Sequence, residues 1–227
     1  MSTAAAPIAP GERIDTLDAI RGFALLGIFI MNMPFFNMSF FAGADGTHAF
    51  PHWWDRSAET IRDVVFSGKF NSMFSMLFAI GFTIQLERLF EREPDRAVSI
   101  YVRRIFWLLV FGIIHACVFW IGDILHMYAI FGFVLLLIRR LPERVILGLI
   151  VLCLLYPGIG GFIRIQTTST EDIERLVEFA RQWMEGDNEI YRNGSFLEIA
   201  KRNSQMMWFM YTDPESRIGM IGGYVQI

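Results

Sequence analysis

Arg13-Ile14-Asp15-Thr16-Leu17-Asp18-Ala19-Ile20-Arg21-Gly22-Phe23-Ala24-Leu25-Leu26-Gly27-Ile28-Phe29-Ile30-Met31-Asn32 sets four charged side chains against the start of a long apolar run. From Gly22 to Ala44 no side chain is charged for 23 residues. At about 1.5 Å per residue, a helix of that length crosses the hydrocarbon core of a bilayer. Asp15, Asp18 and Arg21 therefore fall at a membrane boundary, with Asp18 and Arg21 three residues apart on one helical face.

Composition points the same way. The chain is 54% hydrophobic and 19% charged, with 22 Phe, 12 Met and 6 Trp among 227 residues, more apolar than a soluble domain. A formal charge of -3, spread along the chain, gives no basic surface for nucleic acid. Cys117 and Cys153 both sit in apolar runs, read as packing residues, and offer no metal-ligand spacing. Residues 1–12 lack the cationic start and apolar core of a signal peptide and read as a flexible tail.

Outward from the first span, expected at residues 20–42, four more uncharged runs predict spans near 65–86, 105–122, 124–138 and 145–163. The expected fold is an all-α polytopic bundle. The second run borrows Val64 to Lys69 to reach spanning length, and the fourth relies on Arg139 and Arg140 snorkelling to the interface. Gly122-Asp123 reads as the turn of a tight helical hairpin, with the carboxylate at a surface. Gly158, Gly160 and Gly161 beside Pro157 predict a kinked, closely packed helix. With the N-terminus inside, ten arginines flank the cytoplasmic ends, against three basic residues in the short outer loop, Arg56, Arg62 and Lys69.

Residues 164–216 are polar. Ile173, Leu176, Val177, Ala180, Trp183 and Met184 recur at helical spacing behind Ser169-x-x-Asp172, and Ser195-x-x-Glu198 opens a second such stretch. Both predict a helical extramembrane segment. Residues 217–227 read as the opening of a further span, so the chain is expected to be the front part of a longer protein.

Few side chains in this pattern carry chemistry. Asp18 and Arg21 fit helix-dipole complementarity and positive-inside anchoring; equally, a guanidinium oriented by a carboxylate suits an anionic group such as phosphate. His52, in Pro51-His52-Trp53-Trp54-Asp55-Arg56, is a candidate general base with Asp55 to orient it, while Trp53 and Trp54 fit an interfacial aromatic belt. His48 reads as a surface residue. His115 within the third span is an ionisable group at depth, while Asp123 and His126 close the hairpin, Asp123 being a candidate for the mouth of a cavity facing His52. Ser72 and Ser75 share a face and read as contacts between helices.

Three stretches carry a resemblance. The opening motif through Asn32, then Lys69-Phe70-x-x-Met73-Phe74-Ser75-Met76-Leu77-Phe78-Ala79-x-Gly81-Phe82, and then Gly112-Ile113-Ile114-His115 with Trp120-Ile121-Gly122-Asp123-Ile124-Leu125-x-x-Tyr128-Ala129 resemble, in order and spacing, the YeiB-like family of bacterial inner-membrane proteins. The family usually has Gly at the position of Ala79. The Leu-Asp-x-x-Arg-Gly element is similar to the start of transmembrane acyltransferases of the heparan-alpha-glucosaminide N-acetyltransferase type. That likeness implies acyl-CoA as donor, a sugar or envelope acceptor and a catalytic histidine after the first span, for which His52 is nearest by order.

The expectation is therefore a multi-pass inner-membrane acyltransferase with no metal. His52 deprotonates the acceptor with Asp55 beside it, Arg21 binds the donor's phosphates, Asp18 orients Arg21, and His115 and Asp123 line the path between. A small-molecule or proton-coupled transporter using His115 and Asp123 is the alternative from another class, and a non-catalytic membrane subunit is a third.

Overall fold

The computed structural model describes residues 14–36, 38, 39, 41 and 52–212. The expected tail at 1–12, His48 and the expected further span at 217–227 lie outside them. Among the described residues every regular element is a helix: α1 Asp15–Asn32 with a 3-10 turn Met33–Phe36, α2 Trp53–Val65, α3 Lys69–Arg92, α4 Ala97–Val118, α5 Leu125–Ile138, α6 Glu143–Thr167, α7 Thr170–Asn193 and α8 Phe196–Thr212.

Among the described residues four stretches are long and apolar enough to cross a membrane: Asp15–Phe36, Trp53–Arg92, Ala97–Val118 and Glu143–Ile163. Four of the five spans expected there are thus found. The difference is α5, which is apolar but only 14 residues long, or about 21 Å against a core of about 30 Å. The second apolar run is also divided differently from its expected 65–86 bounds. Gly68 takes φ +72°, a left-handed conformation that glycine adopts without a Cβ penalty, and separates α2 from α3. Val64 and Val65 thus close α2 rather than extend the span.

Interdigitation at one end of the bundle makes the core. Phe82, Leu86 and Leu89 of α3, Ala97, Ile100, Tyr101 and Ile105 of α4, and Leu136 of α5 form one buried cluster. Glycines let the helices approach. Gly27 of α1 lies against the Phe70 ring, Gly132 of α5 against Ile105, and Gly112 of α4 against the His126 backbone. In contrast, Gly158, Gly160 and Gly161 have open space around them, so the close packing expected at Pro157 is not seen among the described residues. Cys117 is half-buried and Cys153 exposed, and neither is in a disulfide.

Both polar helices begin as their sequences direct. Ser169 Oγ accepts from the Asp172 amide at 3.1 Å, and the Asp172 carboxylate accepts from the Ser169 amide at 3.1 Å. Ser195 and Glu198 exchange the same pair of bonds at 3.4 and 2.7 Å. These bonds hold the Asp172 and Glu198 carboxyls below their ordinary values, chiefly the Ser169 hydroxyl in the first case and the Ser195 amide in the second. A lowered folded-state pKa means stabilisation that is complete above the unfolded value and lost as pH falls through the folded one. The starts of α7 and α8 are therefore expected to hold at pH 6 and fray as pH drops below about 4. Amide exchange at Asp172 and Glu198 across that range measures this; Ser169→Ala should remove the larger part of the pH dependence of α7, and Ser195→Ala the smaller part of that of α8, because the backbone amides still donate.

Candidate functional site

The α4–α5 turn folds inward. Asp123 is 5% and His126 2% exposed, and Asp123 was expected at a surface. An ionised carboxylate without water needs donors. Asp123 Oδ2 accepts from the His126 amide at 3.1 Å and lies 2.9 Å from His126 Nδ1, while Oδ1 lies 3.0 Å from His115 Nδ1. The His115 ring is close enough to bond but is not aligned for it.

A carboxylate can only accept, so His126 carries its proton on Nδ1 and presents a lone pair at Nε2. That lone pair meets the Tyr211 hydroxyl at 2.8 Å. Met127 Sδ lies 3.3 Å from the same hydroxyl, but thioether sulfur is the weaker acceptor and the proton belongs to the imidazole. Asp123, His126 and Tyr211 thus form a line of hydrogen bonds in which the carboxylate orients the ring. Three helices build it: α4 supplies His115, α5 supplies His126, and α8 supplies Tyr211.

The α8 helix is held over this end by its own contacts. Ser204 Oγ donates to the Cys117 carbonyl at 3.3 Å. Behind it, the buried Asp187 carboxylate of α7 accepts from Ser39 and from Arg202 Nε, the latter at 2.6 Å. The Arg202 guanidinium lies 3.9 Å over the Trp183 ring, a cation–π contact. Trp120 of the α4–α5 turn donates from Nε1 to the Phe35 carbonyl at 3.0 Å, tying the end of α1 to the same region.

Arg21 makes a second, separate site. Its guanidinium lies 3.3 Å from Asp18 Oδ1 and donates to the Leu77 carbonyl at 3.4 Å. It crosses α3 at Gly81, where a Cβ would overlap it. A cavity of about 160 Å³ opens beside it, walled by Phe74, Phe78 and Phe82 and edged by Gln85 and Tyr101. Phe78 stacks on Tyr128 at 5.0 Å, and Tyr128 shares a 3.0 Å hydrogen bond with Ser75. Ser75, bonded to Tyr128 two residues after His126, and Gly81, crossed by the guanidinium, are six residues or about 9 Å apart on α3.

His52 and Asp55 stand apart from both. His52 is exposed at the start of α2 and stacks on Trp54 at 4.6 Å, and Asp55 follows within the first helical turn. Of the residues expected to act, the structure brings His115 to Asp123 and Asp18 to Arg21. It adds His126 and Tyr211, which the sequence reading left out of the site. Asp123-x-x-His126 at the head of an apolar helix carried the signal for the first. Nothing local carried it for Tyr211, 85 residues further on.

Comparison with known proteins agrees with the quoted motifs. The chain is 33% identical over 205 residues to the uncharacterised protein YxaH of Bacillus subtilis (strain 168), covering 86% of this chain and 49% of that one. Its homologues are YxaH/YeiB-type proteins. It is 34% identical over 140 residues to an uncharacterised 39.9 kDa protein of Bacillus acidopullulyticus, covering 61% of this chain and 38% of the other. With YeiB of Escherichia coli (strain K12) the identity is 33% over 129 residues, 54% and 30% of the two chains. These likenesses support a YeiB-like family. The chain spans half or less of the length of each of these relatives. No family model matches the chain, and no solved structure gives a significant match.

The close approach of Gly112 to the His126 backbone sets the site's geometry. Gly112→Ala is expected to force α4 from α5 at a cost of about 1–3 kcal/mol. Gly148→Ala, with open space around it, should be neutral or slightly stabilising. Apparent melting temperatures of the two variants in one detergent make the comparison.

Proposed function

We propose that this chain belongs to an integral membrane acyltransferase in which His126, rather than His52, is the general base. The observation that carries the reading is the Asp123–His126–Tyr211 line, in which a buried carboxylate orients the ring and the Tyr211 hydroxyl lies at Nε2. The Tyr211 hydroxyl occupies the place an acceptor's hydroxyl or amine would take.

In the reaction, His126 Nε2 removes the acceptor's proton as the acceptor oxygen or nitrogen attacks the thioester carbonyl of an acyl-CoA. The carbon–sulfur bond then breaks, and the departing thiolate takes the proton back from His126. Arg21, steadied by Asp18, would hold an anionic part of the donor from the other end. Between them, the extended arm of CoA would run past Tyr128 and Ser75. The acceptor would be a sugar or another envelope molecule, the bilayer being the inner membrane with the N-terminus inside.

His126→Ala and Asp123→Asn in the full-length protein are expected to lower acyl transfer from acyl-CoA at least a hundredfold. Arg21→Ala should weaken CoA binding, and His52→Ala should leave turnover within about twofold. Radiolabelled acyl transfer in detergent, with CoA affinity measured alongside, separates these. Full turnover in His126→Ala would refute the assignment.

A second reading rests on one carboxylate facing two imidazoles, an arrangement suited to binding and releasing a proton during transport. Proton-driven uptake by proteoliposomes that vanishes in His115→Ala, together with absent CoA binding, would favour it.

A further inference from the structure

The α2 helix has no part in either site, and it buries none of its 13 residues. Trp54, Ile61 and Val65 recur along one side with Trp53 and Val64 next to them, all exposed, while Asp55, Arg56, Glu59, Arg62 and Asp63 take the other. Both features describe a helix whose apolar face lacks a partner among the described residues. We infer that α2 lies in the plane of the membrane surface, with its Trp/Ile/Val face in the headgroup region of a neutral leaflet.

Three contacts say where this face sits. The Lys69 ammonium at the start of α3 donates to the Val64 carbonyl, Phe66 stacks on Phe70 at 5.2 Å, and the Arg62 guanidinium lies 5.9 Å over the Phe35 ring. Phe35 lies at the end of the first apolar stretch and Phe70 in the first turn of α3, so the three hold α2 level with the end of α1 and the start of α3. The Arg62 contact also turns the polar side of α2 toward the bundle, leaving Trp53 and Val64 facing away from it. A helix of about 20 Å is too short to cross the core and suited to lying along it. Two adjacent tryptophans are interfacial residues, with an apolar ring and one N–H for the headgroups.

Charge identifies the surface. The polar side has two arginines and three acids, a balance of about -1 with no basic cluster, so attraction to anionic lipid adds nothing and partitioning of apolar area supplies the binding. This reading is independent of which reaction, if any, the Asp123–His126 site performs.

Spin labels on single cysteines of the full-length protein test it, with Cys117 and Cys153 first changed to Ser. The labels go at Trp54, Ile61, Val64 and Val65 on one side, and at Arg56, Glu59 and Asp63 on the other. In phosphatidylcholine vesicles the first set is expected to meet oxygen severalfold more than a water-soluble nickel complex, and the second set the reverse. Equal nickel exposure at both sets would overturn the inference by placing α2 in water. Apolar-side labels that are immobilised and shielded from both reagents would overturn it in favour of a protein partner. Adding phosphatidylglycerol should leave the ratios unchanged, and a rise at the apolar sites would overturn the neutral-surface assignment.

Discussion

One buried carboxylate sets the terms for this structure. Asp123 is in a turn that two apolar helices carry away from water, and a lone charge there would cost several kcal/mol. Its two oxygens face His126 and His115, and its presence requires that α4 and α5 stay close enough for both imidazoles to reach it. Gly112 permits that approach, as no other residue would fit against the His126 backbone. Close packing of α4 on α5 then continues to the far end, where Gly132 accepts Ile105.

The carboxylate also explains why α8 belongs to the bundle. His126 satisfies Asp123 through Nδ1 and the amide but would leave Nε2 buried without a partner, and the Tyr211 hydroxyl supplies one. For Tyr211 to arrive there, α8 has to lie across the α4–α5 end, and its grip is polar as well as apolar. Arg202 is clamped between the Asp187 carboxylate and the Trp183 ring, while Met206 and Met207 are buried alongside. Burial lifts the Tyr191 phenol above its ordinary value, and the Asp187 charge adds to the effect. The α7–α8 pair therefore has a charged core of its own, anchored to Ser39 after the first span.

Much of the fold was legible because membrane helices write themselves in uncharged runs and helix caps in short local patterns. The spans of α1, α4 and α6, the hairpin at Gly122-Asp123 and the capping boxes at Ser169 and Ser195 all depend on residues within one or two turns of each other. The break at Gly68 was harder to see, because an apolar run continues through Val64, Val65 and Phe66 and only the backbone's left turn divides it. The length of α5 illustrates the same limit. Its residues are apolar throughout, but a buried hairpin helix and a membrane span share that composition, and only length separates them.

The site was legible in its parts and not in its assembly. Asp18 with Arg21 is a local pair, and His115 with Asp123 are unusual at depth, so both stood out. His52 drew attention by its place in the order of motifs, whereas function depends on neighbours in space. Stacked on Trp54 in an exposed helix start, it has no buried carboxylate to orient it. His126 has one, because the first turn of α5 places its ring and its amide over the same Asp123 oxygen. A histidine three residues after an aspartate at a helix start is thus held by backbone geometry before any other helix packs against it. What the distant α8 adds is the hydroxyl at Nε2, which gives the ring's second nitrogen a partner out of water.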